Sequence, residues 1–144
     1  MKTGKAEGST VGTLEAEPAT AGAAGVRALS GAWRNELGSE LVLVAGDDGS
    51  LTGTMRSGVG PTRHARPLAG YHSSPMPDGS TLVAFTVHWP GAGSIAVWNG
   101  RHVAGPDRIH ATWLLVSAGD AADEWKATCV GTDEFCRDEG ERGD

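Results

Sequence analysis

Two stretches decide the fold class: TLVAFTVHW (residues 81–89) and SIAVWNG (residues 94–100), separated only by the turn-forming PGAG (90–93). Large or β-branched side chains recur at alternate positions in both, which is the period of a half-buried β-strand and not of a helix. The connection is too short for a crossover helix, so the two strands must be antiparallel neighbours. The pair therefore predicts a hairpin in an all-β protein.

The same pattern continues on both sides of this hairpin. From residue 29 onward we predict eight short strands, separated by clusters of Gly, Pro, Asp and Ser that favour turns. The candidate strands are SGAWRNEL, ELVLVAG, SLTGTMRS, ARPLAGYH, TLVAFTVHW, SIAVWNG, RIHATWLLVS and EWKATCVGTD. Because the connections leave no room for crossover helices, we predict an all-β fold, an eight-stranded antiparallel up-and-down β-barrel, with a β-sandwich as the alternative.

The composition indicates one globular domain in a chain of 144 residues. We expect residues 1–28 to be a disordered N-terminal segment, residues 29–136 to form the barrel and residues 137–144 to be a disordered tail. The net charge of −6, with scattered basic residues, argues against nucleic acid or an anionic membrane as a partner. No apolar run long enough to span a bilayer occurs, and the N-terminal piece lacks the continuous apolar region of a secretory signal.

Parity along each strand assigns its residues to the inner or the outer face of the predicted barrel. The predicted inner face combines tryptophans, aliphatics and polar residues: Trp33, Asn35, Leu37, Leu41, Leu43, Met55, Ser57, Phe85, Val87, Trp89, Ser94, Ala96, Trp98, Ile109, Ala111, Trp113, Leu115 and, in the last strand, Asp133. The predicted outer face is apolar at Val42, Val44, Ile95, Val97, Leu114 and Val116. Since another subunit is expected to cover such an outer wall, we predict an oligomer.

The inner tryptophans alone fit a packed core as well as a ligand pocket, because large aromatic side chains bury well anywhere. The polar inner residues favour the pocket. Asn35, Ser57, Ser94 and Asp133 would each cost free energy on burial unless a partner satisfied them. A small ligand with fixed donors and acceptors supplies such partners, and an eight-stranded barrel has room for one.

Several of these stretches resemble the avidin and streptavidin family of biotin-binding barrels, over nearly all of residues 29–136. The matching motifs follow in family order and at family spacing: GAWRNELGSELVLVAGDDGSLTGT, SGVG, TVHW, SIAVW, RIHATWLL and WKATCVGTDEF. The resemblance implies a secreted protein that binds biotin without catalysis and without a cofactor. Trp125 matches a tryptophan lent across an interface to a neighbouring subunit's site, which implies a homotetramer, although a dimer would also cover the outer wall.

The resemblance also implies roles for individual residues. Asn35 and Ser39 match the donors to the ureido oxygen of biotin, while Asp133 and Ser57 match the acceptors from its two N–H groups. Ser94 matches a contact to the ligand carboxylate. The aromatic box and the apolar walls match Trp89, Trp98, Trp113, Leu37, Val59 and Leu115.

Three positions depart from the family pattern. Met55 replaces a tyrosine donor to the ureido oxygen, Ala96 replaces a threonine near the ligand sulfur, and Pro61 removes a backbone N–H that often meets the ligand carboxylate. Each lost hydrogen bond costs about 0.5–1.5 kcal/mol, or up to roughly 3 kcal/mol with a charged partner, so the three together remove roughly 3–6 kcal/mol. Because biotin–streptavidin is among the tightest complexes known, near 10⁻¹³–10⁻¹⁶ M, we still expect roughly nanomolar to picomolar binding.

Other interpretations stay open. The barrel could carry a biotin analogue or another small cyclic or hydrophobic ligand, as lipocalin-like carriers do, or inhibit a protease through its loops; Met55 at the ureido end favours an analogue. Catalysis is not expected, because no nucleophile motif is present and His88 and His110 fall on the outer face. The spacing of Cys129 and Cys136 places them on opposite faces, which favours two separate thiols over a disulfide. The histidines have no spacing typical of metal ligands.

Overall fold

A computed structural model describes residues 28–58, 64–119 and 127–139. Its strands are β1 (Gly31–Arg34), β2 (Glu40–Ala45), β3 (Ser50–Arg56), β4 (Arg66–His72), β5 (Ser80–Trp89), β6 (Ser94–Val103), β7 (Arg108–Ser117) and β8 (Thr128–Arg137), with a 3-10 helix at Pro90–Ala92. Each strand pairs antiparallel with the next, and β8 pairs with β1, so the sheet closes into a barrel. The predicted all-β class and the eight-stranded up-and-down barrel are confirmed.

Strand β1 is shorter than the alternating pattern predicts. It ends at Arg34, and a turn follows in which the backbone N–H of Asn35 donates to the carbonyl of Ser39 at 3.2 Å. The side-chain carbonyl of Asn35 also accepts from the backbone N–H groups of Leu37 and Ser39, local bonds that compete with continuation of the strand. The prediction that Leu37 shares the inward face of Trp33 is therefore wrong, since Leu37 lies in this turn and is 57% exposed.

Strands β6 and β8 are longer than the turn signals predict. Strand β6 continues through Val103, so the turn before β7 is confined to residues 104–107, where Asp107 adopts a left-handed φ of 58°. Strand β8 continues through Arg137, one residue beyond the predicted end of the barrel. This last residue pairs with Trp33 of β1, and its neighbour Cys136 pairs with Arg34, which closes the barrel.

The regular strands confirm the parity assignment. Most inward aliphatic and aromatic residues of β2 to β7 are buried, with Trp113 and Leu115 partly buried, whereas the six apolar residues assigned to the outer wall are 40–56% exposed. These exposed side chains are Val42, Val44, Ile95, Val97, Leu114 and Val116. His88 and His110 are exposed on the same outer surface, as predicted.

The two ends of the barrel differ in packing. We call the end where β1 begins the closed end, and the end where β1 finishes the open end. Seven large side chains fill the closed half and are at most 2% exposed: Leu29, Trp33, Leu43, Leu51, Val83, Ile109 and Phe135. In the open half, the inward Trp113 and Leu115 are only partly buried. The barrel is thus a packed core at one end and more accessible at the other.

An ionic network lies across the closed end. The guanidinium carbon of Arg137 lies 3.9 Å from the ring centroid of Trp33, and its nitrogens donate to both carboxylate oxygens of Asp107 at 3.1 and 3.2 Å. His102 contacts the same carboxylate at 2.8 Å through Nε2. Partial burial works to raise the pKa of Asp107, but the hydrogen bonds from Arg137 and His102 outweigh it and hold the pKa below its usual value. The closed end therefore satisfies its buried polar groups internally.

Candidate ligand-binding site

The turn after β1 places two polar side chains in the interior of the open half. Asn35 is 7% exposed and Ser39 is 5% exposed. Ser39 Oγ accepts from the backbone N–H of Gly58 at 2.9 Å, which leaves its hydroxyl proton for another acceptor. The carbonyl oxygen of Asn35 is occupied by the backbone N–H groups of Leu37 and Ser39 at 3.0 and 2.8 Å, so its amide nitrogen is the group left to donate inward. The turn therefore presents two oriented donors.

A carboxylate lies beside these donors. Asp133 on β8 is 8% exposed, and its Oδ2 accepts from the indole Nε1 of Trp98 at 2.9 Å. Burial raises the pKa of Asp133 above its ordinary value, while the hydrogen bond from Trp98 opposes that change. The negative charge of Glu36 raises the pKa further, and a hydrogen bond from Asn35 lowers it. Asp133 is thus an acceptor held in place by the indole N–H of Trp98, and its charged form is less stable than that of an exposed aspartate.

Glu36 is an electrostatic part of the site that the sequence did not reveal. Its Oε1 accepts from the backbone N–H of Glu134 at 3.4 Å, which ties the turn after β1 to the last strand. This contact brings the Glu36 carboxylate close enough to Asp133 to affect its titration. The only local signal was its position next to Asn35, because the partner strand lies 98 residues away in sequence.

The predicted aromatic positions meet on the inner wall. Trp98 stacks on Phe85 with ring centroids 5.1 Å apart, and the edge of Trp89 meets Trp98 at 6.1 Å. Trp113 is the cross-strand partner of Trp98 on β7. The indole N–H of Trp89 is buried and has no hydrogen-bond partner among the described residues. A buried donor without a partner is uncommon in proteins, so the indole N–H of Trp89 is a hydrogen-bond donor that the described part of the chain does not use.

The remaining described site residues also lie towards the open end. Ser94, Ala96 and Met55 are buried, while Ser57 and Leu115 are partly buried. Ala96 is the cross-strand partner of Leu115, so these two small or aliphatic side chains adjoin on the inner wall. Met55 places a thioether, which donates no hydrogen bond, on the inner face near the end of β3.

Four predicted site residues stand apart from this group. Val59 and Trp125, together with Pro61, lie outside the described residues, and their predicted roles stay predictions. Leu37 is described but lies in the exposed turn after β1, so its role as an apolar wall of the site also stays a prediction.

A groove of about 670 Å³ runs along β6, β7 and β8. It is lined mainly by outward side chains, among them Asn99, Arg101, His110, Thr112 and Thr132. Glu36, Ala111 and Asp133 also line it, so the groove reaches the two carboxylates of the polar group described above.

Neither cysteine is part of a disulfide. Cys129 and Cys136 are free thiols on β8, at the open end and at the closed end respectively. Within the described ranges, no group of three or more His, Cys, Asp or Glu residues could hold a metal ion. No helix in that part of the chain is long and apolar enough to cross a membrane.

The closed antiparallel barrel with a packed end and a polar, aromatic end defines a class of β-barrels with an interior suited to one small molecule. The model of the Avidin family matches residues 23–138 of this chain. Avidin from Gallus gallus is 33% identical over 117 residues, covering 76% of this chain and 77% of that protein. Avidin-related proteins 1 and 7 from the same organism are 33% and 32% identical over the same shares. The chain belongs to the avidin family, which confirms the resemblance found in its motifs.

Proposed function

We propose that this protein is a non-catalytic, high-affinity binder of biotin, which it holds in the open half of the barrel. The observation that carries the proposal is the grouping of two oriented donors, Asn35 and Ser39, with the buried acceptor Asp133. A cyclic urea needs this combination, because its oxygen accepts hydrogen bonds and its N–H groups donate them. Membership of the avidin family supports the same ligand.

The donor side is organised before the ligand arrives. Asn35 Oδ1 and Ser39 Oγ already accept from backbone N–H groups, so neither side chain must reorient to present its hydrogen to the ureido oxygen. Preorganised donors cost less conformational entropy on binding than donors on mobile side chains. The turn that ends β1 early is therefore the element that prepares the site.

The acceptor side gains from ligand binding. Asp133 is buried with a raised pKa, so its charged form lacks full compensation in the free protein. A ureido N–H would supply an additional donor, while the bond from Trp98 keeps the carboxylate in position. We propose Ser57 as the acceptor for the second N–H, as the resemblance implies.

The side chains that line the inner wall of the barrel determine how tightly the ligand is expected to bind. Trp89, Trp98 and Trp113 would surround the ligand's apolar ring and chain with aromatic surface. Two of the three departures lie in the described structure: buried Met55 donates no hydrogen bond and buried Ala96 has no hydroxyl. With each missing bond costing about 0.5–1.5 kcal/mol, we propose a dissociation constant in the roughly nanomolar to picomolar range.

Assembly and location form a separate part of the proposal. We propose a homo-oligomer, with a tetramer as the expected form, because the outer wall exposes Val42, Val44, Ile95 and Val97. The match of Trp125 to a tryptophan shared between subunits supports the tetramer. Secretion is proposed on the resemblance to the family.

A biotin analogue is the second candidate ligand, favoured by one observation. Met55 is buried on the inner face where the resemblance expects a donor, so the site offers the ureido oxygen fewer bonds and more apolar surface. Competition between biotin and desthiobiotin, followed by tryptophan fluorescence, tests this directly. Tighter binding of desthiobiotin would establish the analogue as the preferred ligand.

Titration calorimetry of the full chain with biotin tests the main proposal. We expect one site per chain and a dissociation constant well below micromolar. Asn35→Ala is expected to weaken binding, because it removes a donor and the turn that orients Ser39. The outward Glu134→Gln serves as the matched control on the strand that carries Asp133 and is expected to bind as the unsubstituted chain does. No heat at micromolar biotin would refute the proposal.

A further inference from the structure

We propose that Gly131 is a positioning residue of the ligand site: the absence of a side chain there sets where the indole of Trp113 lies on the inner wall. This inference rests on the proposed function, since Trp113 is one of the residues proposed to surround biotin. Gly131 itself would not contact the ligand, and it acts through Trp113.

The contact between the two residues is close. Gly131 on β8 is the direct cross-strand partner of Trp113 on β7. A Cβ added at Gly131 would lie 2.3 Å from Cζ2, 2.6 Å from Cε2 and 3.0 Å from Nε1 of the indole. These distances are well inside van der Waals contact, so the ring occupies the space that any side chain at position 131 would need.

The backbone does not require glycine at this position. Gly131 is not among the glycines with positive φ, which in the described chain are Gly31, Gly38, Gly49, Gly53, Gly79 and Gly93. An alanine could therefore adopt the same backbone conformation. The requirement for glycine is steric and comes from the indole.

Other glycines on the barrel wall have a different role. An added Cβ at Gly70 or Gly100 would lie 1.9 or 2.0 Å from a backbone carbonyl oxygen of the neighbouring strand. A substitution there must move the sheet itself. At Gly131 the obstacle is the far part of a side chain that is only partly buried, and such a group moves at lower cost than a strand. Substitution at Gly131 is therefore expected to displace Trp113 and leave the barrel closed.

Displacement of Trp113 would change the site. A movement of the indole away from Gly131 would carry it towards the interior or along the wall towards Trp98, its neighbour on β6. Trp98 in turn donates to Asp133, so the displaced ring would press on the side chain that orients the buried carboxylate. Both movements reduce the space and the polar geometry available to biotin.

The test is Gly131→Ala in the full chain, measured by calorimetry with biotin and by thermal unfolding. We expect the dissociation constant to rise at least about tenfold, with a smaller effect on unfolding than Gly100→Ala produces. Gly105→Ala is the matched control, because its added Cβ meets no heavy atom within 4 Å and it lies in the turn at the closed end. An unchanged dissociation constant in Gly131→Ala would overturn the positioning role.

A second pair of variants separates positioning from general disruption. In a Trp113→Ala background the indole is absent, so adding Gly131→Ala is expected to change the dissociation constant less than about twofold. An equal loss in both backgrounds would overturn the proposal, because it would show that Gly131 acts through the strand. If Gly131→Ala alone does not fold, the double variant is expected to fold; failure of both would overturn the proposal as well. Lack of binding by the unsubstituted chain would refute biotin as the ligand, whereas the dependence on Trp113 would then still be read from near-ultraviolet circular dichroism.

Discussion

The closed and open halves of the barrel are made from the same strands and the same alternating pattern, yet they use their polar groups differently. At the closed end, Arg137, Asp107 and His102 satisfy one another and cover Trp33. At the open end, the side-chain oxygens of Asn35 and Ser39 accept hydrogen bonds from backbone N–H groups, which leaves the Asn35 amide N–H and the Ser39 hydroxyl as donors. The polar groups of the closed half are thus satisfied by the chain itself, whereas the open half keeps the donors that the proposed ligand would use.

The largest expected effect lies in the closed half. Trp33→Ala removes a side chain with no exposed surface and is expected to lower the free energy of unfolding by about 3–5 kcal/mol. Chemical denaturation measures this, and biotin titration of the folded protein is expected to change less than about threefold. Trp113→Ala is the matching variant at the open end. We expect it to lower the free energy of unfolding less than Trp33→Ala does, and to weaken biotin binding more. Equal behaviour of the two variants would break the distinction between the halves.

The next effect concerns the buried acceptor. Asp133→Ala removes a carboxylate proposed to bind a ureido N–H and is expected to weaken biotin binding by about 2–5 kcal/mol, measured by calorimetry or competition. Stability is not expected to fall in parallel, because burial raises the pKa of Asp133 and so makes its charged form less stable in the folded chain than in the unfolded one. A variant that loses stability and keeps its affinity would contradict the assignment.

Restoring a donor is expected to have an intermediate effect. Met55→Tyr would place a hydroxyl near the proposed position of the ureido oxygen and tighten biotin binding by up to about tenfold. Met55→Leu is the control, since it keeps an apolar side chain of similar size and adds no donor. Competition with labelled biotin measures both. If the two variants have the same affinity, the missing donor does not limit binding.

The smallest effect is a dependence on pH. The folded-state pKa of Asp133 is raised, so its carboxylate becomes protonated at a higher pH than an ordinary aspartate, and biotin binding is expected to weaken as the pH falls through that range. Glu36→Gln removes one cause of the raised pKa and is expected to move the weakening to lower pH. Calorimetry between about pH 4 and about pH 8 measures both chains. Identical pH profiles would show that Glu36 has no part in the site.

Much of the fold followed from the sequence because a barrel of short strands is governed by local alternation. The exposed Val42 and Val44, and the buried Phe85 and Val87, follow directly from the two-residue period. Leu37 was misplaced because the Asn35 side chain hydrogen bonds to the local backbone and ends β1 early. The alternating pattern of the sequence does not report such a competition between side-chain hydrogen bonds and the strand.

The site could be predicted only in part, for a different reason. Parity predicted that Asn35 and Asp133 face inward, and the family motifs added Ser39; all three are buried. The effect of Glu36 on Asp133 depends on a contact between the first turn and the last strand, and no local pattern reports it. The fit of Trp113 against Gly131 is likewise a matter of register between β7 and β8, which only the folded chain supplies.

The brief pairing of β1 with β8 has a practical consequence. Two cross-strand pairs join β1 and β8, Trp33 with Arg137 and Arg34 with Cys136, whereas β6 and β7 pair along their full lengths. Asp138, directly after β8, adds a backbone hydrogen bond to Ala32 at 2.8 Å and an ion pair with Arg34 at 3.1 Å. Arg137 strengthens this narrow junction by donating to the carbonyl oxygens of Ala28 and Ser30 at 3.0 Å. The barrel is therefore expected to open first between β1 and β8.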